Sequence, residues 1–233
     1  AAPLAVFGAI AYTVSLQGLG VIADYSRLVG SFFLALFILW AVLLGAGFLV
    51  LGPRVFKLLW DVRAPGLIAF ATASSEAAYP RLLEQLERHG VANRVVSFVL
   101  PLGYSFNLDG SMMYCTFAVM FIAQAMGIHL DIGQQLGMLL LMVTSKGIAG
   151  VPRASLVVIS ATLPAMGMKP EWIALVLAVD AFMDMGRTAT NVIGNSIESA
   201  VIAKWEGLLS DPQKDTPVVE SVLGSEESRS AKS

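Results

Sequence analysis

The sequence predicts an all-α polytopic membrane protein, and three observations carry that expectation. Of 233 residues, 56% are hydrophobic and 14% charged, whereas soluble domains carry about 25% charged residues. The charges cluster at the ends of long apolar runs, and mean hydropathy is +0.73. Several apolar runs are interrupted inside by polar or glycine-rich motifs rather than closed by loops. A net charge of −2 offers no basic surface, so no nucleic-acid partner is expected. The single cysteine, Cys115, lies in an apolar run, which predicts a buried thiol and no internal disulfide.

Along the chain, residues 1–23 are uncharged up to Asp24 and long enough to span a bilayer. Residues 28–53, "LVGSFFLALFILWAVLLGAGFLVLGP", form the clearest spanning segment. A charged loop with Arg54, Lys57, Asp61 and Arg63 is expected next. Residues 65–91 have an apolar front half too short to span, a small polar tip "TASSEAAYP" and an amphipathic return, which suits a re-entrant hairpin. Residues 95–128 read as a tilted span broken by "SFNLDGS". Residues 132–168 are interrupted by "TSKGIAGVPRAS", whose glycines and proline punctuate a helix. Residues 171–205 read as one last helix, after which the chain turns polar and 207–233 are expected to be a disordered cytoplasmic tail.

A weak internal repeat runs through this order. A serine-containing tip ending in Pro80 precedes the helix broken by "FNLDGS", and one ending in Pro152 precedes the helix carrying "DMGRT". Paired interrupted segments point to a secondary transporter with a site near the membrane midplane. If each hairpin returns to the side it entered from, Arg54, Lys57, Arg63, Arg81, Arg88, Arg94 and Lys204 share one side, which the positive-inside rule makes cytoplasmic. Arg27 and Lys169 fall on the other. Such opposed hairpins could gate one site from either face.

The last helix concentrates the chemistry. At about 100° per residue, Asp180, Asp184, Arg187, Asn191, Asn195 and Glu198 fall on one stripe, with Thr188 at its edge. Such a stripe faces protein or water, not lipid. The bland reading is an internal ion pair, since Asp184 and Arg187 are three residues apart. The sharper reading is a clamp for a zwitterion with an acidic side chain. Arg187 offers a fork for a carboxylate and Asp184 an acceptor for an ammonium group. "NLDG" at 107–110 interrupts a span, which favours a cation or polar-substrate site over a surface turn. "TASSE" at 72–76 suits both a helix cap and an anion site, and Glu76 is either a proton carrier or a solvated tip residue. Lys146 and Arg153 read as anchors for the second tip, and His89 and His129 as solvated loop residues.

The motifs "FNLDGS", "SKGIAGVP" and "DMGRTATNVIGN" resemble the dicarboxylate/amino acid:cation symporters, the glutamate transporter family, over about residues 1–206. The resemblance implies a transport domain with two re-entrant helical hairpins in inverted repeat. Residues 1–53 would correspond to the family's fifth and sixth helices, and 54–206 to hairpin one, helix seven, hairpin two and helix eight. It further implies a homotrimer in a bacterial inner membrane, an elevator-type motion, and a chain that is the C-terminal half of a longer protein. The start "AAPLAVF" shows no signal peptide.

By the same resemblance, Asp184 binds the substrate amino group and Arg187 its side-chain carboxylate. Thr188 and Asn191 hold the backbone carboxylate, with Ser74 and Ser75 closing from hairpin one. The tip at 147–152, including Gly150, Val151 and Pro152, gates from outside. Asn107 and Asp109 match a cation motif, and Gly103, Asn107, Asp109, Asn191 and Asn195 form a possible sodium site. Asn195, Asp180 and Glu76 join them as candidates for coupling to protons or cations, with no other cofactor expected. Sodium-coupled members carry Asp where this chain has Asn195, which points to the proton-coupled glutamate symporters. The "DMGRT" pairing favours acidic amino acids over C4-dicarboxylates. A remote alternative, an intramembrane aspartyl protease using Asp109 with Asp180 or Asp184, suffers from Arg187, which would hold a neighbouring Asp ionised.

Overall fold

The computed structural model describes residues 8, 11, 15, 18, 20–144 and 154–211. Most of the span expected at 1–23, the tip at 147–152 with Gly150, Val151 and Pro152, the flanking Lys146 and Arg153, and residues 212–233 lie outside the described residues. The described residues are overwhelmingly helical.

Helix α1 runs Gly20–Leu51. The expected break at Asp24 is absent: the turn sits earlier, at Gly18 (φ 80°), whose carbonyl accepts from Val21. Asp24 and Arg27 pair three residues apart on the exposed first turns, so their charges reach outward without ending the helix. Gly52 (φ 65°) and Pro53 stop α1. Only 17% of its most apolar 18-residue window is buried, although that window has a mean hydropathy of 2.7. Leu34, Phe37, Val42 and Leu49 stay exposed, as suits a helix long and apolar enough to cross a membrane.

The expected charged loop is instead an amphipathic helix, α2 (Arg54–Asp61), which buries Val55 and Leu58, exposes Lys57 and keeps Arg54 and Asp61 half-buried. Helices α3 (Arg63–Thr72) and α4 (Ser75–Arg88) form a helix–turn–helix. Their turn needs Ala73 in the left-handed region (φ 49°, ψ 34°), and Ser74 caps α4 by accepting from the Ala77 amide at 3.2 Å. Helices α5 (Asn93–Phe106) and α6 (Asp109–Ala125) are the halves of the broken span, with non-helical Asn107 and Leu108 between them, as the motif predicts. Helices α7 (Ile132–Thr144) and α8 (Ala154–Ala165) flank the second tip.

The last helix is also broken, which the sequence reading missed. A 3-10 turn (Pro170–Ile173) and a short α9 (Ala174–Leu177) precede an interruption at Ala178 and Val179, and α10 then runs Asp180–Trp205. Neither Gly nor Pro marks this break. Asp180 suits the first turn of α10, where a carboxylate complements the helix dipole.

Helix α10 is the central element, packing against α1, α3, α4, α5 and α6. Two apolar cores meet on it. One gathers Phe32, Tyr114, Val119, Ile159 and Leu163 and reaches α10 at Met183; the other gathers Val55, Leu82, Leu86, Val96 and Leu100 and takes over at Val192. Small residues permit close approach. Above Gly186, a Cβ would meet Leu36 and Phe33 at 2.9 Å. Trp40 Nε1 pins α1 by donating to Thr190 Oγ1 at 2.9 Å.

The chain past Glu206 is not loose at first. Leu209 bridges to Val91, the Ser210 amide donates to the Gly90 carbonyl at 2.9 Å, and Arg54 binds both the His89 and Ser210 carbonyls. His89, expected to be solvated, is 1% exposed, while His129 is exposed as predicted. His89 Nδ1 lies 2.6 Å from Asp61 Oδ2, and Arg54 Nε donates to its Nε2 at 3.4 Å. That arrangement needs Nδ1 protonated and Nε2 bare, so the ring is neutral. Burial lowers its pKa below 6.5, outweighing the pull of Asp61.

Two outcomes follow for the full-length protein. Because the unfolded chain takes up a proton at His89 that the folded state resists, stability is intact above about pH 6.5 and declines as pH falls below it. Thermal unfolding against pH should show this slope, and His89→Gln should flatten it. At Gly110, a Cβ would meet the backbone of Arg187, with its carbonyl carbon at 2.9 Å. Gly110→Ala should therefore cost about 1–3 kcal/mol in thermal unfolding, whereas Gly30→Ala, with nothing within 4 Å, should stay within about 1 kcal/mol of the parent.

Candidate functional site

Between the two cores, α10 presents the polar run that begins at Asp184 and ends at Asn191. Asp184, Thr188 and Asn191 are all buried. Arg187 Nε pairs with the Asp184 carboxylate, and the two side chains are 12% and 10% exposed. The bland pairing is thus present: the two ends of the expected clamp rest on each other. A ligand bearing both an ammonium and a carboxylate could replace each half of this pair with its own opposite charge.

The start of α6 completes the arrangement. The break at Asn107 and Leu108 leaves amides at the head of α6 without helical acceptors. Asn191 Oδ1 accepts from the Gly110 amide at 2.9 Å and the Ser111 amide at 3.3 Å. Its Nδ2 donates to Ser111 Oγ at 2.9 Å, and Arg187 Nη1 donates to the same oxygen at 3.0 Å. Ser111 therefore holds Arg187 and Asn191 together. It lies within the "FNLDGS" motif, yet nothing in its spacing marked it as a partner of a helix some eighty residues on. Thr188 Oγ1 donates to the Asp184 carbonyl at 2.7 Å within its own helix.

A second polar group adjoins this one toward the C-terminal half of α10. A cleft of about 640 Å³ is lined by Gly103, Asn107, Asp109, Gly194 and Glu198, within the size range of small-molecule sites. Asp109 Oδ2 would lie 3.2 Å from a Cβ at Gly194, so the lack of a side chain there lets the carboxylate approach α10. Asn107 Nδ2 donates to Glu198 Oε2 at 2.8 Å. Asn195 is 1% exposed, and neither of its amide atoms has a hydrogen-bond partner among the described residues. Of the expected sodium set, Gly103, Asn107, Asp109 and Asn195 converge here. Asn191 is nearby on the helix, but its side-chain oxygen is already committed to two amides. Among the described residues, no three of His, Cys, Asp and Glu gather as metal ligands, so any cation set here leans on amide and backbone oxygens.

The remaining candidates are placed elsewhere. Asp180 is 2% exposed and accepts from Tyr114 Oη at 2.7 Å, a partner the sequence did not indicate. It stands fifteen residues before Asn195, about 22 Å along the helix, so it does not belong to the cleft. Ser74 caps α4 and donates to Glu76 Oε2 at 2.9 Å, while the Ser75 carbonyl accepts from Tyr104 at 3.3 Å. Glu76 is exposed at this tip. No hydrogen bond among the described residues joins Ser74 or Ser75 to Arg187. Cys115 is buried and free, as expected.

Comparison with known proteins agrees with these motifs. The model of the sodium:dicarboxylate symporter family matches residues 1–205. The proton/sodium-glutamate symport protein of Bacillus subtilis (strain 168) is 42% identical over 221 residues, covering 94% of this chain and 52% of that protein. The C4-dicarboxylate transport protein of Stenotrophomonas maltophilia (strain R551-3) is 45% identical over 211 residues, covering 90% and 47%. A proton/sodium-glutamate symport protein of Bacillus caldotenax is 45% identical over 208 residues, covering 88% and 49%. The chain thus spans about half the length of these relatives. On the match of its motifs and of nearly its whole described length, the chain belongs to the sodium:dicarboxylate symporter family.

Proposed function

We propose that this chain is the substrate-carrying half of a secondary symporter that takes up acidic amino acids with protons across a bacterial inner membrane. The observation that carries the reading is the buried Asp184–Arg187 pair, held by Ser111 and Asn191 at the unwound head of α6. Arg187 suits a substrate carboxylate, and Asp184 an ammonium group. On this reading α3–α4 and α7–α8 are the re-entrant hairpins of an inverted repeat, and the whole protein is an elevator-type trimer. The tips bearing Ser74, Ser75 and Gly150, Val151, Pro152 close over the substrate from opposite sides. Asn107, Asp109 and Asn195 form the coupling region. The relatives' names supply both substrate classes, glutamate and C4-dicarboxylates. Asp184 favours the first, because a C4-dicarboxylate has no ammonium group for it.

The reading is tested by uptake into proteoliposomes holding the full-length protein, with proton and sodium gradients imposed separately. Glutamate accumulation should follow ΔpH without sodium; accumulation that follows sodium and ignores ΔpH would overturn proton coupling. Arg187→Cys should lower glutamate and succinate uptake alike by roughly 10- to 100-fold, since a charge-assisted hydrogen bond contributes about 1.5–3 kcal/mol. Asp184→Asn should weaken aspartate as a competitor more than succinate. Equal loss of both would remove the case for an amino-acid substrate.

A further inference from the structure

The face of α10 opposite the polar stripe has no part in the proposed function, yet it walls an apolar groove. The groove encloses about 360 Å³, within the size range of small-molecule sites. Three helices line it over matching lengths: α1 from Phe33 to Trp40, α3 from Arg63 to Phe70, and α10 from Gly186 to Ile193. Each stretch advances by about 10 Å along its helix, so the groove is elongated. Phe37 and Leu67 stand exposed on its rim. Nothing inside calls for a polar ligand. Trp40 Nε1 donates to Thr190 Oγ1 at 2.9 Å, and Thr190 Oγ1 donates to the Gly186 carbonyl at 2.9 Å. With these polar groups already engaged, the space suits a hydrocarbon tail.

One end of the groove differs. Arg63 is exposed there, its guanidinium 4.0 Å from the centre of the Trp60 ring. Its Nη1 also donates to the Trp60 carbonyl at 2.6 Å. Stacking and hydrogen bond together hold the fork in place. Arg27, Arg54, Arg81, Arg88 and Arg187 each face a carboxylate, whereas Arg63 faces none among the described residues. Asp61, two residues away, is turned to His89 instead. The fork therefore keeps N–H donors for an anion from outside. Its setting matches the edge of a bilayer. Helix α2, which ends beside it, buries Val55 and Leu58 and leaves Phe56, Lys57 and Trp60 exposed. Exposed aromatic and basic side chains on one amphipathic helix suit a membrane–water interface. Arg63 then stands at headgroup level, and the groove runs from it into the hydrocarbon.

We propose that this groove binds an anionic phospholipid, with one acyl chain between α1, α3 and α10 and the phosphate on Arg63. The charge answers the guanidinium, and the tail fills a space that water would wet poorly. A bound tail would tie α1 to α3 along their length. The site lies across α10 from the Asp184–Arg187 pair, so the inference depends on neither the transported substrate nor the coupling ion.

The test uses the full-length protein in detergent, with phosphatidylglycerol or phosphatidylcholine of the same acyl chains added. Native mass spectrometry reads the lipid retained per protomer. The wild type should hold phosphatidylglycerol more tightly than phosphatidylcholine. Arg63→Gln should weaken phosphatidylglycerol retention roughly fivefold and leave phosphatidylcholine unchanged. Gly66→Leu, at a site where a Cβ would meet only Ile193 at 3.6 Å, fills the groove and should weaken both lipids. Arg94→Gln, which removes another exposed arginine, should match the wild type. Equal phosphatidylglycerol retention in wild type, Arg63→Gln and Gly66→Leu would overturn the proposal. So would an equal loss in Arg94→Gln, the mark of a diffuse charge effect, or phosphatidylcholine held as tightly as phosphatidylglycerol by the wild type. A wild type that retains neither lipid, as when a helix from the rest of the full-length protein fills the groove, would overturn it as well.

Discussion

The side chain of Asn191 is the contact on which the rest of the polar architecture depends. One amide oxygen takes the Gly110 and Ser111 amides, and the amide nitrogen reaches Ser111 Oγ. A span broken at membrane depth exposes backbone donors that lipid cannot satisfy. Asn191 satisfies two of them from a neighbouring helix, so the break can persist. The contact requires α6 to lie against the α10 backbone, and the missing Cβ of Gly110 allows that. Once the head of α6 is held, Ser111 faces Arg187 and Asp109 faces Gly194. Both polar groups described on α10 thus follow from one amide.

The placement of that contact follows from the two cores. Each is apolar and closely packed, and each touches α10 on a different length of helix. Buried polar groups between them are costly unless paired. Most are paired: Tyr114 with Asp180, Arg187 with Asp184, Asn107 with Glu198. Helix α10 can carry this stripe because its opposite face is small. Gly186 admits α1 closely, and Trp40 reaches Thr190. A helix with large residues on that face would hold its polar stripe too far from α6.

The sequence showed the break at Asn107 because Asn, Asp and Gly are poor helix residues inside an apolar run. It showed the α10 stripe because six polar side chains at helical spacing are hard to arrange otherwise. The Ser74 cap was visible for the same local reason. What stayed hidden was non-local or unmarked. The break at Ala178 and Val179 has no Gly or Pro, and apolar periodicity ran straight through it. Helix α2 looked like a loop because hydropathy averaged its charges over its buried Val55 and Leu58. His89 looked solvated because its partners, Arg54 and Asp61, lie on another element. Ser111, Tyr114 and Glu198 draw their importance from partners 66 to 91 residues away, which no window on the sequence can see.

Charge balance along α10 gives the cation-coupled reading a physical reason. On this seam stand the carboxyls of Asp109, Asp180, Asp184 and Glu198 and the guanidinium of Arg187. A surplus of negative charge at membrane depth is unfavourable and is relieved by binding protons or cations. An acidic amino acid adds a further net negative charge when it binds. Arg187 cannot answer this twice, because its fork is shared between Asp184 and any arriving carboxylate. On the proposed reading, the added charge is matched by a proton or cation that moves with the substrate. On the proposed reading, coupling is not an addition to the binding site. It follows from building an anion site from a helix that already carries more carboxylates than cations.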